Sequence, residues 1–95
     1  MADEAGSLKR RLKIVNSKGL HARASAKFVQ CAAKFDARVT VAKDGQAVSA
    51  TSIMGLMMLG AGPGSEVVVR ASGAQAREAI DALENLLVTK FGEDS

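Results

Sequence analysis

The sequence has few aromatic residues and a single cysteine. It contains three Phe and no Trp or Tyr among 95 residues, so Val, Ile, Leu, Met and Ala must form most of the core. Cys31 cannot make an internal disulfide, and no neighbouring base indicates an activated thiol. The first residues, MADEAGS, lack the basic and apolar regions of a secretory signal. These absences favour a cytoplasmic protein.

Long apolar runs and metal-ligand clusters are also missing. The longest mostly apolar segment, Ile53 to Ala61, includes two glycines and falls far short of the roughly 20 residues that a membrane-spanning helix needs. One histidine and one cysteine give no recognisable ligand spacing for a metal ion. The sequence therefore predicts no membrane insertion, no metal and no cofactor.

The charge is unevenly distributed along the chain. The net charge is +3, but the segment from Lys9 to Lys43 is rich in Lys and Arg and contains only Asp36 as an acid, whereas residues 78–94 contain five acids and one Lys. This asymmetry predicts a basic surface that would meet nucleic acid, phosphorylated groups or an acidic protein.

Apolar periodicity predicts the element order βαββαβα within one domain over residues 8–95, after a tail at residues 1–7. Leu12 and Ile14 alternate with basic residues, as in a half-buried strand. Asp44-Gly45 lies between two further strand-like runs and indicates a hairpin. Helices are predicted from Ala22 to Phe35, after Ser52, and from Ala76 to near Gly92. This is an α+β fold with helices on one face of a mostly antiparallel sheet.

The only histidine, His21, stands immediately before the first predicted helix. Free backbone N–H groups and the positive end of the helix dipole converge there and favour an added anion. A neutral imidazole is a competent nucleophile, and Arg23 could donate a charge-assisted hydrogen bond to phosphate oxygens. From the residues alone this hypothesis is the weaker one, because a lone surface histidine is usually only a solvated polar side chain. The basic stripe of Arg23, Lys27, Gln30 and Lys34 beside it is usually solvated as well.

Two motifs give a more specific indication. GLHARASAKFV at residues 19–29 and TSIMGLMMLG at residues 51–60, in this order of elements, closely resemble the histidine phosphocarrier (HPr) family of the bacterial phosphoenolpyruvate-dependent phosphotransferase system. The resemblance runs from about Leu12 to Phe91. It implies an open-faced β-sandwich of four antiparallel strands and three helices. It also implies a carrier that accepts a phosphoryl group from enzyme I and passes it to enzyme IIA-type proteins.

The resemblance also assigns roles to individual residues. His21 falls on the histidine that is phosphorylated at Nδ1 in the family, and Arg23 falls on the arginine that assists transfer. Two positions depart from the family pattern. Ala24 replaces a proline that most members have in the first helical turn, and Gln30 replaces a lysine that some members use for docking. We expect both changes to tune the site without abolishing its function.

Ser52 is a helix N-cap by its position and, through the resemblance, a site for an ATP-dependent HPr kinase. The short apolar helix after it cannot bury all of its sides, and Met suits a surface that serves several partners. We therefore expect Leu56 and Leu59 in the core. The resemblance places Ile53, Met54 and Met57, together with Lys27, in the partner-binding surface of a carrier that is monomeric on its own.

Three alternatives are kept. The chain could serve the nitrogen-related regulatory branch of the system, whose carriers are called NPr, instead of sugar uptake. A small RNA-binding α+β domain would use the basic half of the chain, but the scarcity of aromatic rings counts against it, and a salt-dependent RNA titration would test it. A ferredoxin-like ligand-binding domain would leave GLHAR without a role. GAGPG at residues 60–64 is interpreted only as a turn.

Overall fold

The computed structural model describes residues 7–92, so residues 1–6 of the predicted tail and residues 93–95 of the predicted domain lie outside the described residues. The predicted order βαββαβα is confirmed. The elements are β1 (Leu8–Lys13), α1 (Ala22–Ala32), β2 (Arg38–Lys43), β3 (Gln46–Ser49), α2 (Ile53–Met58), β4 (Glu66–Ser72) and α3 (Ala76–Val88), and a 3-10 turn follows at Lys90–Gly92.

The four strands form one antiparallel sheet in the order β1-β4-β2-β3. The hairpin between β2 and β3 has the predicted turn, because Asp44 and Gly45 both have positive φ, at 51° and 84°. This two-residue turn matches the twist of the strands that it joins. The open-faced architecture predicted from the sequence is therefore confirmed.

The helices cover one face of the sheet, and the strands alternate accordingly. Leu12 of β1, Val41 of β2 and Val69 of β4 are buried beneath the helices, with at most 6% of each residue exposed. Arg10 also points to this side, where its guanidinium donates to Asp81 and Glu84 of α3 at 2.7 Å each. The bond to Asp81 is the largest of the contacts that raise the pKa of Arg10. Among residues 7–92, no helix covers the opposite face of the sheet.

Both long helices end earlier than the apolar pattern predicts. The prediction of α1 through Phe35 is wrong, because regular α-helix stops at Ala32 and the chain continues in tighter turns, with Phe35 N donating to Ala32 O at 3.3 Å. The backbone N–H of the next residue, Asp36, donates a hydrogen bond to the side-chain oxygen of Gln75 at 2.8 Å. Helix α3 stops at Val88, and the left-handed Lys90 and Phe91 then turn the chain.

Candidate functional site

His21 is the N-cap residue of α1 and is half-buried. Its backbone is extended, with φ −75° and ψ −177°, while its carbonyl accepts the first helical bond from Ser25 N at 2.8 Å. Buried Ala24 and Phe28 fix α1 against the core. The first N–H groups of the helix therefore lie next to His21, as the sequence predicted. The methyl group of Ala24 is fully buried.

The loop before His21 is held by the segment at residues 60–65. Leu20 N donates to Ala61 O at 2.9 Å, and Ile14 exchanges backbone bonds of 2.8 Å with Gly64 and Ser65. Gly19 has φ +62°, and a Cβ there would lie 2.3 Å from Ala61 O. The interpretation of residues 60–64 as only a turn missed this contact. The glycine two residues before His21 was the signal for it.

His21 and Met57 line the same shallow depression, with a volume of about 250 Å³. The other residues that line it are Lys18, Leu20, Gly60, Ala61 and Gly62. Arg23 does not line the depression and lies exposed on the first turn of α1. A shallow depression beside an accessible ring is suited to contact with another macromolecule. Sequence reasoning missed Lys18, which brings a cation to this depression.

Helix α2 exposes an apolar surface, named here the α2 patch, made of Ile53, Met54, Met57 and Met58. These residues are 40%, 68%, 41% and 72% exposed. Leu56 and Leu59 are buried, at 0% and 5%, which confirms their predicted place in the core. Because Met57 also borders the depression, the α2 patch is continuous with the surroundings of His21.

Ser52 is the N-cap of α2, as its position in the sequence predicted. Its Oγ accepts a hydrogen bond from Gly55 N at 2.9 Å, and Ser52 is half-buried. A Cβ on Gly55 would lie 3.0 Å from that Oγ, so the glycine makes room for the cap. At about 1.5 Å of rise per residue, Ser52 lies roughly 7 Å along α2 from Met57. Ser52 is therefore at the end of α2 that is farther from the depression.

The two remaining residues of interest on α1 have local roles. Lys27 is half-buried, and its Nζ donates to the backbone carbonyl of Phe91 at 2.5 Å, which ties α1 to the C-terminal turn. Gln30 is exposed and adds no charge to the surface between Lys27 and Lys34. Burial raises the pKa of the Cys31 thiol, and the charge of Lys34 opposes this shift. The thiol is therefore held in its protonated, less reactive form.

Within residues 7–92, no group of three or more His, Cys, Asp or Glu side chains is placed to hold a metal ion. In the same part of the chain, no helix is long and apolar enough to cross a bilayer. Phe28 and Phe91 are almost completely buried, at 1% each, so neither ring is available to stack on a base.

Comparison with known proteins places this fold and site in one class. The chain, which folds as an open-faced sheet with three helices on one side and a histidine at the N-terminus of the first helix, matches over residues 8–89 the family model described as "PTS HPr component phosphorylation site". The phosphocarrier protein HPr of Cupriavidus necator is 49% identical over 86 residues, covering 90% of this chain and 97% of that protein. The phosphocarrier protein NPr of Shewanella violacea is 40% identical and covers 93% of this chain and 97% of that protein.

The solved structures agree with the sequence comparisons. The crystal structure of HPr-C-His from Thermoanaerobacter tengcongensis superposes with a TM-score of 0.88 at 45% identity, covering 93% of this chain and 99% of that one. HPr from Bacillus anthracis superposes with a TM-score of 0.82 at 40% identity, covering 85% and 96%. The chain therefore belongs to the HPr family of the phosphotransferase system, whose members are phosphocarrier proteins and not catalysts.

Proposed function

We propose that this chain is a relay protein in which His21 accepts a phosphoryl group from phosphorylated enzyme I and passes it to an enzyme IIA-type acceptor. The observation that carries this proposal is the place of His21. It caps α1 beside a shallow depression and lies within the residues matched by a family model described as a phosphorylation site.

The proposed transfer exchanges a phosphoryl group for a proton. Nδ1 of the neutral His21 ring attacks the phosphorus of the donor's phosphohistidine, a new N–P bond forms, and the donor's N–P bond breaks. The donor nitrogen leaves with the electron pair and takes up a proton, while the His21 ring gives up its Nε2 proton. The same steps in reverse order carry the group to the acceptor, so His21 is first the nucleophile and then the donor.

The protein's contribution to this step is positioning and charge stabilisation. The N–H groups of the first turn of α1 would bind the phosphoryl oxygens of modified His21. Arg23 lies two residues after His21 on that turn and is exposed, so its side chain is available to bind the same oxygens. A fixed loop before His21 keeps the ring at the helix end throughout transfer.

The proposed docking surface combines the α2 patch with cations around His21. An apolar centre with a charged rim is typical of protein interfaces, and the cations would select acidic partners and speed their association. Ile53, Met54 and Met57 form the apolar part. Lys27 is assigned to the margin of this surface, where a partner's carboxylate would compete with the carbonyl of Phe91 for its ammonium group.

The experiment that tests the relay is intact mass after incubation with phosphoenolpyruvate and an active enzyme I. We expect one acid-labile phosphoryl group on the wild type, none on His21→Ala, and slower labelling of Arg23→Ala. Lys34→Ala removes a cation just beyond the C-terminal end of α1 and should be labelled like the wild type. An unmodified wild type beside an enzyme I of demonstrated activity would refute the proposal.

We also propose that an ATP-dependent kinase phosphorylates Ser52 to regulate the relay. The N-cap position supports this, because the free N–H groups of α2 can accommodate a phosphate without unfolding the helix. The added charge, about −1.5 to −2, would repel an acidic partner from the docking surface.

Ser52→Asp and Ser52→Asn form a matched pair for this second proposal. Both residues are good N-caps, but only Asp adds a negative charge. We expect Ser52→Asp to slow phosphoryl transfer to His21 and Ser52→Asn to keep the wild-type rate, with similar unfolding midpoints. Equal transfer rates in the two variants would show that charge at this position does not regulate the relay.

The similarity to a carrier named NPr supports a second candidate, the nitrogen-related regulatory branch. Rates of His21 phosphorylation by purified enzyme I of the sugar branch and of the nitrogen-related branch distinguish the two. The branch whose enzyme I transfers faster is the one that this carrier serves.

A further inference from the structure

The helix-free face of the sheet, called here the open face, is strongly basic. Arg10 of β1 points into the helical layer, so its neighbours in the strand point the other way. Arg70 of β4 lies opposite Lys9 on this face, and Arg38 of β2, which pairs with Ser72 of β4, lies on the same face. The exposed cations of the open face are Lys9, Arg11, Lys13, Arg38 and Arg70, and the strand residues on this face include one acid, Glu66.

This charge is not neutralised within the described part of the chain. Among residues 7–92, the open face has one ion pair, from Arg11 to Glu66 at 3.6 Å between two exposed side chains. Lys9 lies directly opposite Arg70 in the β1–β4 register. Like charges placed directly opposite each other destabilise a sheet. The fold therefore carries a repulsion that its own packing does not require.

Protection of a sheet edge does not explain the pattern. Lysines on an edge strand prevent edge-to-edge pairing, and β1 is an edge strand. Arg38 and Arg70, however, lie on β2 and β4, which have a neighbour on both sides. A role in binding explains the cations on edge and internal strands together.

The centre of the open face is small and apolar. Val68, Ala42 and Ala47 lie side by side across β4, β2 and β3, next to Arg11 of β1. A depression of about 590 Å³ is lined by Val68, Ala42 and Arg11, and also by Lys43, Asp44 and Glu66. An apolar centre with charged residues around it is typical of protein interfaces, and arginine pairs with carboxylates through two parallel hydrogen bonds.

The same features disfavour nucleic acid. No strand within residues 7–92 contains an aromatic residue that could stack on a base. We infer that the open face, with its small apolar centre, is a second docking surface and that it binds an acidic protein. The site of His21 and the α2 patch belong to the helical layer, so such a partner would leave them accessible to enzyme I.

A defined probe tests this inference. Amide chemical shifts would be followed by NMR during titration with an acidic glutamate–alanine copolymer and, separately, with duplex DNA, both at ionic strength of about 0.15 M. We expect the copolymer to bind more tightly than DNA and to shift the amides of Arg11, Thr40 and Val68. The variant His21→Ala should bind in the same way, which separates this surface from the relay site.

Two double variants provide the comparison. Arg38→Gln/Arg70→Gln removes the internal-strand cations and should weaken copolymer binding by about fivefold. Lys34→Gln/Arg77→Gln removes the same charge from the turn after α1 and from α3, and it should change binding less than twofold. The single variant Arg70→Gln relieves the repulsion with Lys9. Its Tm should therefore be higher than that of the wild type by roughly 1 to 5 °C.

Three results would overturn the inference. They are tighter binding of DNA than of the copolymer, shifts confined to the helical layer, and unchanged copolymer affinity in Arg38→Gln/Arg70→Gln. A fourth result, a Tm for Arg70→Gln below that of the wild type, would mean that this cation stabilises the fold, and it would count equally against a binding role.

Discussion

At Gly19 the backbone approaches the neighbouring loop so closely that only a hydrogen fits. A Cβ there would lie 2.3 Å from Ala61 O, and the φ of +62° is itself unfavourable for alanine. We expect Gly19→Ala to lower the free energy of unfolding by roughly 3 kcal/mol, since the strain of a left-handed alanine is about 1 to 2 kcal/mol and the clash adds to it. Urea unfolding measures this loss. Slower phosphoryl transfer to His21 should accompany it.

Gly60 supplies the matched control for Gly19. Its φ of +67° is nearly the same, but a Cβ there would meet no atom within 4 Å. Gly60→Ala should therefore lose only the conformational part, about 1 to 2 kcal/mol. Equal losses in the two variants would mean that the contact with Ala61 does not hold the loop before His21.

Cys31 should react slowly with alkylating reagents near neutral pH. Burial raises the pKa of its thiol in the folded protein, and the thiolate is the reactive form. The folded protein therefore disfavours the thiolate. The stability that this pKa shift contributes is present below the pKa of the thiol in the unfolded chain. It is lost as the pH rises through the pKa of the thiol in the folded protein. Alkylation rates measured against pH, in buffer and in urea, should show the higher midpoint in buffer. A midpoint at or below that of the unfolded chain would contradict this expectation.

At the scale of the elements, Arg10 fastens α3 to β1 by bonds of 2.7 Å to Asp81 and Glu84. Arg11 is its neighbour on the other face and makes only an exposed pair at 3.6 Å with Glu66. We expect Arg10→Gln to lower the free energy of unfolding by about 1 kcal/mol and Arg11→Gln to change it little. Denaturant unfolding at low and high salt measures both, and the Arg10 effect should shrink in high salt. A salt-independent loss would point to packing of the side chain as its cause.

The identities and order of the elements were predictable from the sequence, because each depends on a local pattern. The alternation of apolar and basic residues around Leu12 predicted β1, Asp44-Gly45 predicted the hairpin, and Ser52 predicted the start of α2. The ends of α1 and α3 were not predictable, because tertiary bonds such as that between Asp36 and Gln75 decide them.

The same limit applies to the candidate site. The motif placed His21 at the helix end, but the bond from Lys27 to Phe91 and the contact of Gly19 with Ala61 join residues far apart in the chain. Apolar periodicity carries no information about such pairs. The charge distribution predicted a basic surface but not its location on the open face, since the cations there alternate with buried residues on three separate strands.

At the scale of the whole molecule, a single core joins the first strand to the last turn. Phe91 is 1% exposed in the same cluster as Leu12, Phe28 and Leu83, although it lies near the end of the described chain. We expect one cooperative thermal transition, with a calorimetric enthalpy equal to the van't Hoff enthalpy and a heat-capacity change of roughly 1.1 to 1.4 kcal/mol/K.

Phe91→Ala is the variant that tests this cooperativity. Removing the buried ring should lower the free energy of unfolding by about 3 to 5 kcal/mol while the transition remains single. Phe35 is only half-buried, so Phe35→Ala should lose clearly less. Calorimetry of the three proteins measures these differences. If the C-terminal turn were an independent appendage, Phe91→Ala would leave the main transition unchanged, and the tie from Lys27 to the Phe91 carbonyl would then have no effect on global stability.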